Sequence, residues 1–162
     1  MKTTKTIIVL LCSCLAGGGC TSRQDVSGNY SFKTECFESE LDGTITVKAW
    51  GNGRNYFDAC EQAGKNAVRD VIFNGITDGK SDCHQRPLVL EVNAKQKYED
   101  YFNRFFAGGG AYRRYVSLRD ERIDSKLWRS RKRARQSVTH GIVLRIKRAD
   151  LKRQLIADGI IK

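Results

Sequence analysis

The chain has 162 residues, a formal net charge of +11 and a single proline, Pro87. That length suits one ordinary domain rather than several, and the scarcity of proline excludes a Pro-rich disordered stalk. The charge is segregated: residues 21–110 hold 11 Lys+Arg and 13 Asp+Glu, a net of −2, whereas residues 111–162 hold 16 and 5, a net of +11.

The first five residues carry Lys2 and Lys5 and no acid. Thr6 to Ala16 then forms a mainly apolar run, and Gly17, Gly18, Gly19 and Cys20 follow. A charged start, a short apolar run and a small-residue exit are the marks of a secretory signal. Eleven residues fall well short of the roughly 20 needed to span a bilayer. The segment resembles a lipoprotein signal, in which a cysteine after small residues receives lipid. Cys20 is the expected lipidation site. Cys14 is the alternative, but cutting before it leaves an apolar run shorter than such signals use. The expected organisation is a signal peptide over residues 1–19, a lipid-tethered linker over 20–28 and a single domain over 29–162. Several acyl chains hold a protein on a membrane where one does not. Thr21, rather than an aspartate, follows Cys20 and points to the outer membrane more than the inner.

Within the domain, residues 30–37 read as a strand, Leu41-Asp42-Gly43 as a turn, and Thr44–Trp50 as a second strand with Ile45, Val47 and Ala49 on one face. Gly51-Asn52-Gly53 ends that strand. Asn55 is placed to cap a helix running to about Phe73, with Asp58 in its first turn. Cys60, Ala63, Ala67 and Val71 form a narrow small-residue stripe, and Asn74-Gly75 is a helix stop. Residues 78–86 read as a polar loop, and Leu88, Leu90 and Val92 as a short alternating strand. Ala94–Phe106 reads as a helix bearing Tyr98, Tyr101, Phe102, Phe105 and Phe106, and Tyr112–Leu118 as a strand.

Trp128 to Lys147 reads as one long strand. Its even positions include Trp128, Ala134, Val138, Ile142, Leu144 and Ile146. Its odd positions include Arg129, Arg131, Arg133, Arg135, Arg145 and Lys147, so one face is apolar and the other cationic. Residues 148–158 complete the chain as a short helix with Leu151, Leu155 and Ile156 inward, stopped by Gly159. The order β-β-α-β-α-β-β-α predicts an α+β fold, an antiparallel sheet with helices packed on one face.

The run Val47-Lys48-Ala49-Trp50-Gly51-Asn52-Gly53, the alanines 59, 63 and 67, and the later Val138–Ile146, Leu151, Leu155 and Gly159-Ile160 resemble a known pattern. It is that of the small N-terminal domain of flagellar assembly protein T, which also occurs alone in outer-membrane lipoproteins. The resemblance covers most of residues 44–160. It implies a structural or assembly role in the envelope, with no catalysis and an envelope protein as partner. Residues 21–39 and the arginine-rich segment have no counterpart in it.

Candidate sites are few. Gly51-x-Gly53 lacks the third glycine of a dinucleotide loop, since Tyr56 stands there, so a tight strand-to-helix turn is the plainer reading. Cys36 and Cys83, in a strand and a loop, are the candidate disulfide, with Cys60 assigned to the core. Arg129, Arg131, Arg133 and Arg135 are candidate anion contacts; the competing reading is a charged edge that resists aggregation. His140 falls on the apolar face as a core histidine. His84 stands beside Asp82 and Cys83 without further metal ligands at sensible spacing. Asp120, Glu121 and Asp124 lie among arginines and read as salt links. The aromatic residues of 98–112 read as core. No metal, cofactor or catalytic signature is present, and an exported chain has no nucleic acid to meet. The expected function is therefore a lipid-anchored structural or assembly protein of the envelope. The alternative is a module that binds lipopolysaccharide or acidic lipid through the arginine-rich strand.

Overall fold

The computed structural model describes residues 32–83, 85–118, 130–133 and 138–162. In chain order it contains β1 (Glu35–Ser39), β2 (Thr44–Gly53), α1 (Tyr56–Arg69), β3 (Asp78–Gly79), α2 (Ala94–Lys97), α3 (Glu99–Phe105), β4 (Val116–Leu118), β5 (Ser130–Arg133), β6 (Val138–Lys147) and α4 (Arg148–Ala157). A π turn, Asp70–Asn74, extends α1, and 3₁₀ turns cover Ser81–Cys83 and Ala111–Tyr115. The fold is α+β.

The sheet runs β3-β1-β2-β6-β4, with β5 also paired to β6. It is mixed, not antiparallel throughout. β1 and β3 are parallel, with Glu35 opposite Asp78 and Cys36 opposite Gly79. Two polar residues show no alternation, which is why β3 lies inside what the sequence presents as a loop. Close backbone approach holds it there: a Cβ on Gly79 would sit 2.0 Å from the Cys36 carbonyl oxygen, and the Lys80 amide donates to that same oxygen at 2.9 Å.

β2 and β6 form the centre of the sheet, paired over ten residues from Thr44↔Lys147 to Gly53↔Val138. Their alternation puts Ile45, Val47, Ala49, Ile142, Leu144 and Ile146 in the core. The same cluster takes Ala63, Ala67 and Val68 from α1, Phe102 and Phe105 from α3, and Leu151 and Leu155 from α4. The helices thus share one sheet face. On the other, Thr46 and Val143 are also buried. There Lys48 lies 5.0 Å from the Trp50 ring centre and Arg145 donates to Glu40 at 3.0 Å.

α1 starts where its cap dictates: the Asp58 amide donates to Asn55 Oδ1 at 2.9 Å. Its buried stripe is Ala59, Ala63, Gly64, Ala67 and Val68. Small residues let the helix settle onto β2, and Gly51 completes the contact. A Cβ there would lie 1.9 Å from the Ala59 carbonyl oxygen and 2.3 Å from the Ala63 amide nitrogen.

Four other elements differ from the sequence expectation. Leu88, Leu90 and Val92 form no strand. Leu88 and Val89 are both buried, while Leu90 and Val92 are exposed. The amides of 88 and 89 donate to the carbonyls of Val71 and Ile72 at the end of the first helix, so the segment closes that helix rather than pairing with the sheet. Helix 94–106 is broken at Tyr98, whose φ of −114° and ψ of 32° are not helical. Tyr112–Tyr115 is 3₁₀, and only Val116–Leu118 is strand. Ile156 is exposed, because Gly159 (φ +71°) turns the chain back and buries Ile160 in its place. The Ile160 amide donates to the Leu155 carbonyl at 2.9 Å in that turn.

Candidate functional site

The arginine-rich segment is not one long strand with residues 138–147. β5 runs antiparallel to β6, with Ser130 opposite Gly141, Arg131 opposite His140, Lys132 opposite Thr139 and Arg133 opposite Val138. The even-odd sorting that separates arginines from apolar residues in a continuous strand therefore does not carry through the reversal. β6 shares one edge between two short partners. β5 takes residues 138–141, and β4 takes 144–146. The backbone of Arg131 and Arg133 is thus fixed to the central strand by ladder pairing. Arg129 and Arg135 lie outside the described residues.

His140 is buried, 5% exposed, at the outer end of β6, with the Tyr56 ring edge-on at 4.9 Å. It is a packed aromatic on the helical side of the sheet, where its parity places it.

Cys36 and Cys83 are joined by a disulfide with a Cα–Cα distance of 5.8 Å, and both residues are buried. The bond ties β1 to the 3₁₀ turn that follows β3. Cys60 is free and half-buried rather than in the core, because the stripe of α1 rotates by one residue to Ala59. Burial pushes its thiol above the ordinary range, only partly opposed by Tyr56, which makes it a poor nucleophile.

The Gly51-x-Gly53 turn is filled by protein. A Cβ on Gly53 would lie 2.5 Å from the Ala59 amide nitrogen, and the helix amide of Asp58 is satisfied by Asn55. Both glycines answer a close helix approach, and no cradle for phosphate is left at the turn.

The aromatic residues pack on one another. Phe73 and Phe102 meet at 4.7 Å, Phe105 and Phe106 at 5.0 Å, and Phe105 and Tyr115 at 6.1 Å. Phe102, Phe105 and Tyr112 are buried, so this cluster is core.

Glu61 is engaged by three side chains. Lys65 lies at 3.3 Å and Arg113 at 3.1 Å, and the Tyr112 hydroxyl donates to it at 3.2 Å. Burial alone would raise its pKa; the hydrogen bonds from Lys65, Tyr112 and Arg113 outweigh that and hold it below its usual range. Tyr101 shows the reverse pattern. Burial and the hydrogen bond it donates to Asp158 push its hydroxyl well above the usual tyrosine range.

Among the described residues, no three His, Cys, Asp or Glu gather as a metal site would require. No described helix is long and apolar enough to cross a membrane. Cys20, Cys14, His84, Asp120, Glu121 and Asp124 lie outside the described residues.

The chain is thus an α+β domain with a disulfide-tied edge and a basic strand paired to its central strand. No protein-family model matches it, and neither the curated proteins nor the solved structures compared with it give a match.

Proposed function

We propose that this protein is an exported lipoprotein, anchored through Cys20, with a non-catalytic structural or assembly role in the bacterial cell envelope. The resemblance to the flagellar assembly domain supports an assembly role, and the signal-like N-terminus supports export. The structural observation that carries the reading is how the charged groups are used. Glu61 serves Lys65 and Arg113, Glu40 serves Arg145, Asp158 serves Tyr101 and Gln154, and Asp70 takes hydrogen bonds from Thr34 and Asn74. These acids tie elements together, as a scaffold uses them. Metabolic labelling with an alkyne fatty acid tests the anchor. Label should enter the wild type and Cys14→Ala and be lost in Cys20→Ala; label retained in Cys20→Ala sinks the anchor assignment.

A second reading is favoured by the β5–β6 pairing. A cationic segment whose backbone is held as a strand has little backbone entropy left to lose on binding, which suits it to an anionic surface. Lipopolysaccharide or acidic lipid would be the target, with Arg129, Arg131, Arg133 and Arg135 as contacts. Reversing these four to glutamate should abolish binding to anionic vesicles and to lipopolysaccharide. Unchanged binding rejects this reading and leaves the assembly role standing.

A further inference from the structure

Away from β5, a cavity of about 300 Å³ lies where three elements meet. Tyr101, Arg104 and Phe105 come from α3, at the i, i+3, i+4 spacing that shares one side of a helix. Arg114 comes from the 3₁₀ turn, and Gln154 and Asp158 from α4. The cavity holds one carboxylate, Asp158, which keeps its charge because its two donors are neutral, so two guanidinium groups against one carboxylate leave the lining with a net of about +1. The Tyr101 hydroxyl donates to one Asp158 oxygen at 2.6 Å, and the Gln154 amide donates to the other at 2.9 Å.

The two guanidinium groups have no such partner. Among the described residues, neither Arg104 nor Arg114 has a carboxylate oxygen within 4.0 Å; Arg114 lies over the Tyr115 ring at 6.0 Å. Their neighbours differ in this respect. Arg113, one residue away, is paired with Glu61, and Arg153 on α4 is paired with Asp150. Both arginines are exposed residues on one cavity, so an anion entering it would meet two solvent-accessible guanidinium groups against the single charge of Asp158. Each guanidinium offers a planar fork of donors, the geometry that grips phosphate oxygens in pairs. Ala111 and the buried Phe105 complete the lining and leave only a small apolar contact for the carbon part of an ester.

We infer that this cavity binds a phosphate monoester, held by Arg104 and Arg114. The site does not involve residues 129–135 and stands apart from the proposed function above. The phosphate can belong to a lipid head group or to a small soluble ester, and the same chemistry serves both.

The test is calorimetric titration of the full-length protein in neutral detergent with glycerol phosphate, paired with sedimentation on phosphatidylcholine vesicles with and without phosphatidic acid. Binding to glycerol phosphate alone assigns a soluble source; binding only to the phosphatidic acid vesicles assigns a lipid one. In either case Arg104→Gln with Arg114→Gln should weaken binding by about a hundredfold, taking each lost charge-assisted contact as about tenfold. The corresponding lysine pair keeps the charge and loses the fork. It should bind with intermediate strength, and it serves as the variant of record if the glutamine pair melts early. The glutamate reversals at 129–135 should leave glycerol phosphate binding unchanged. The inference is overturned if the wild type binds neither probe, if both double variants bind as the wild type does, or if only the 129–135 variant loses binding.

Discussion

Removing the Cys36–Cys83 disulfide should cost this domain a large part of its stability. The two cysteines are 47 residues apart in sequence. Closing a loop of that length removes about 14 cal/mol/K from the unfolded chain on the entropy model, or about 4 kcal/mol at 25 °C. A domain of this size is stable by roughly 5–15 kcal/mol in total, so the bond decides whether the fold is robust or marginal. Both residues are buried, so Cys36→Ala with Cys83→Ala also deletes packed sulfur. Reduced wild type keeps the sulfur atoms and isolates the cross-link. Urea unfolding of the oxidised protein, the reduced protein and the double variant separates the two contributions. The reduced form should lose about 4 kcal/mol, equivalent to a fall in Tm of about 15 °C. The double variant should lose at least as much. Hydrogen exchange should localise the damage. The Lys80 amide, bonded to Cys36, and the Ile76–Gln85 bridge should open first, while the β2–β6 ladder keeps its protection. If reduction shifts stability by less than about 1 kcal/mol, the reasoning from loop entropy fails for this protein.

Three further outcomes follow from the packing and the charges. Gly51→Ala should destabilise by about 3 kcal/mol or more, because the new methyl meets the α1 backbone rather than a movable side chain. Gly108→Ala, with nothing within 4 Å of the added Cβ, should stay within about 0.5 kcal/mol of the wild type in the same thermal melts. Asn55→Ala should cost about 1 kcal/mol by removing the bond to the Asp58 amide, read by urea denaturation. Glu61 titrates below its ordinary value of 4.5 in the folded protein. Its stabilising contribution is therefore complete above that value and is lost as pH falls through the lower, folded pKa. Urea midpoints between pH 6 and pH 3 should show Glu61→Gln already weaker at pH 6 and converging on the wild type as the solution is acidified. A constant gap would refute the linkage.

The sequence made legible those parts of the fold that repeat. Ile45, Val47 and Ala49 alternate, and Asn55 stands before a helical stripe, so β2 and α1 are readable before any coordinates. What it hid depends on contacts without period. β3 is two polar residues, held by a backbone approach to Cys36 that needs Gly79. Leu88 and Leu90 look alike in a pattern, yet one is buried and the other exposed, because the backbone there bonds to the end of a helix. The β5–β6 reversal leaves no mark in the sequence, because alternating arginines and apolar residues on either side of residues 134–137 keep the same parity. In the candidate sites, cysteine context pointed to Cys36 with Cys83. Arg104 and Arg114 gave no signal, since ten residues and a break in the helices separate them. Only folding places them on one cavity.

The same geometry explains how a chain with so uneven a charge can fold. Arg113 and Arg145 lie in the basic half, and each is matched by an acid from the other half, Glu61 and Glu40. Both acids stand beside the core, Glu61 on α1 and Glu40 after β1, but the arginine side chains are 50% and 39% exposed, so each pair contributes about 1 kcal/mol at most. Pairing thus joins the two halves at these two described points. Surface charge is tolerated because water and salt screen it over about 10 Å at 0.1 M ionic strength. Arg104 and Arg114, which have no such pair among the described residues, are exposed, so screening rather than pairing keeps their charge from opposing the fold.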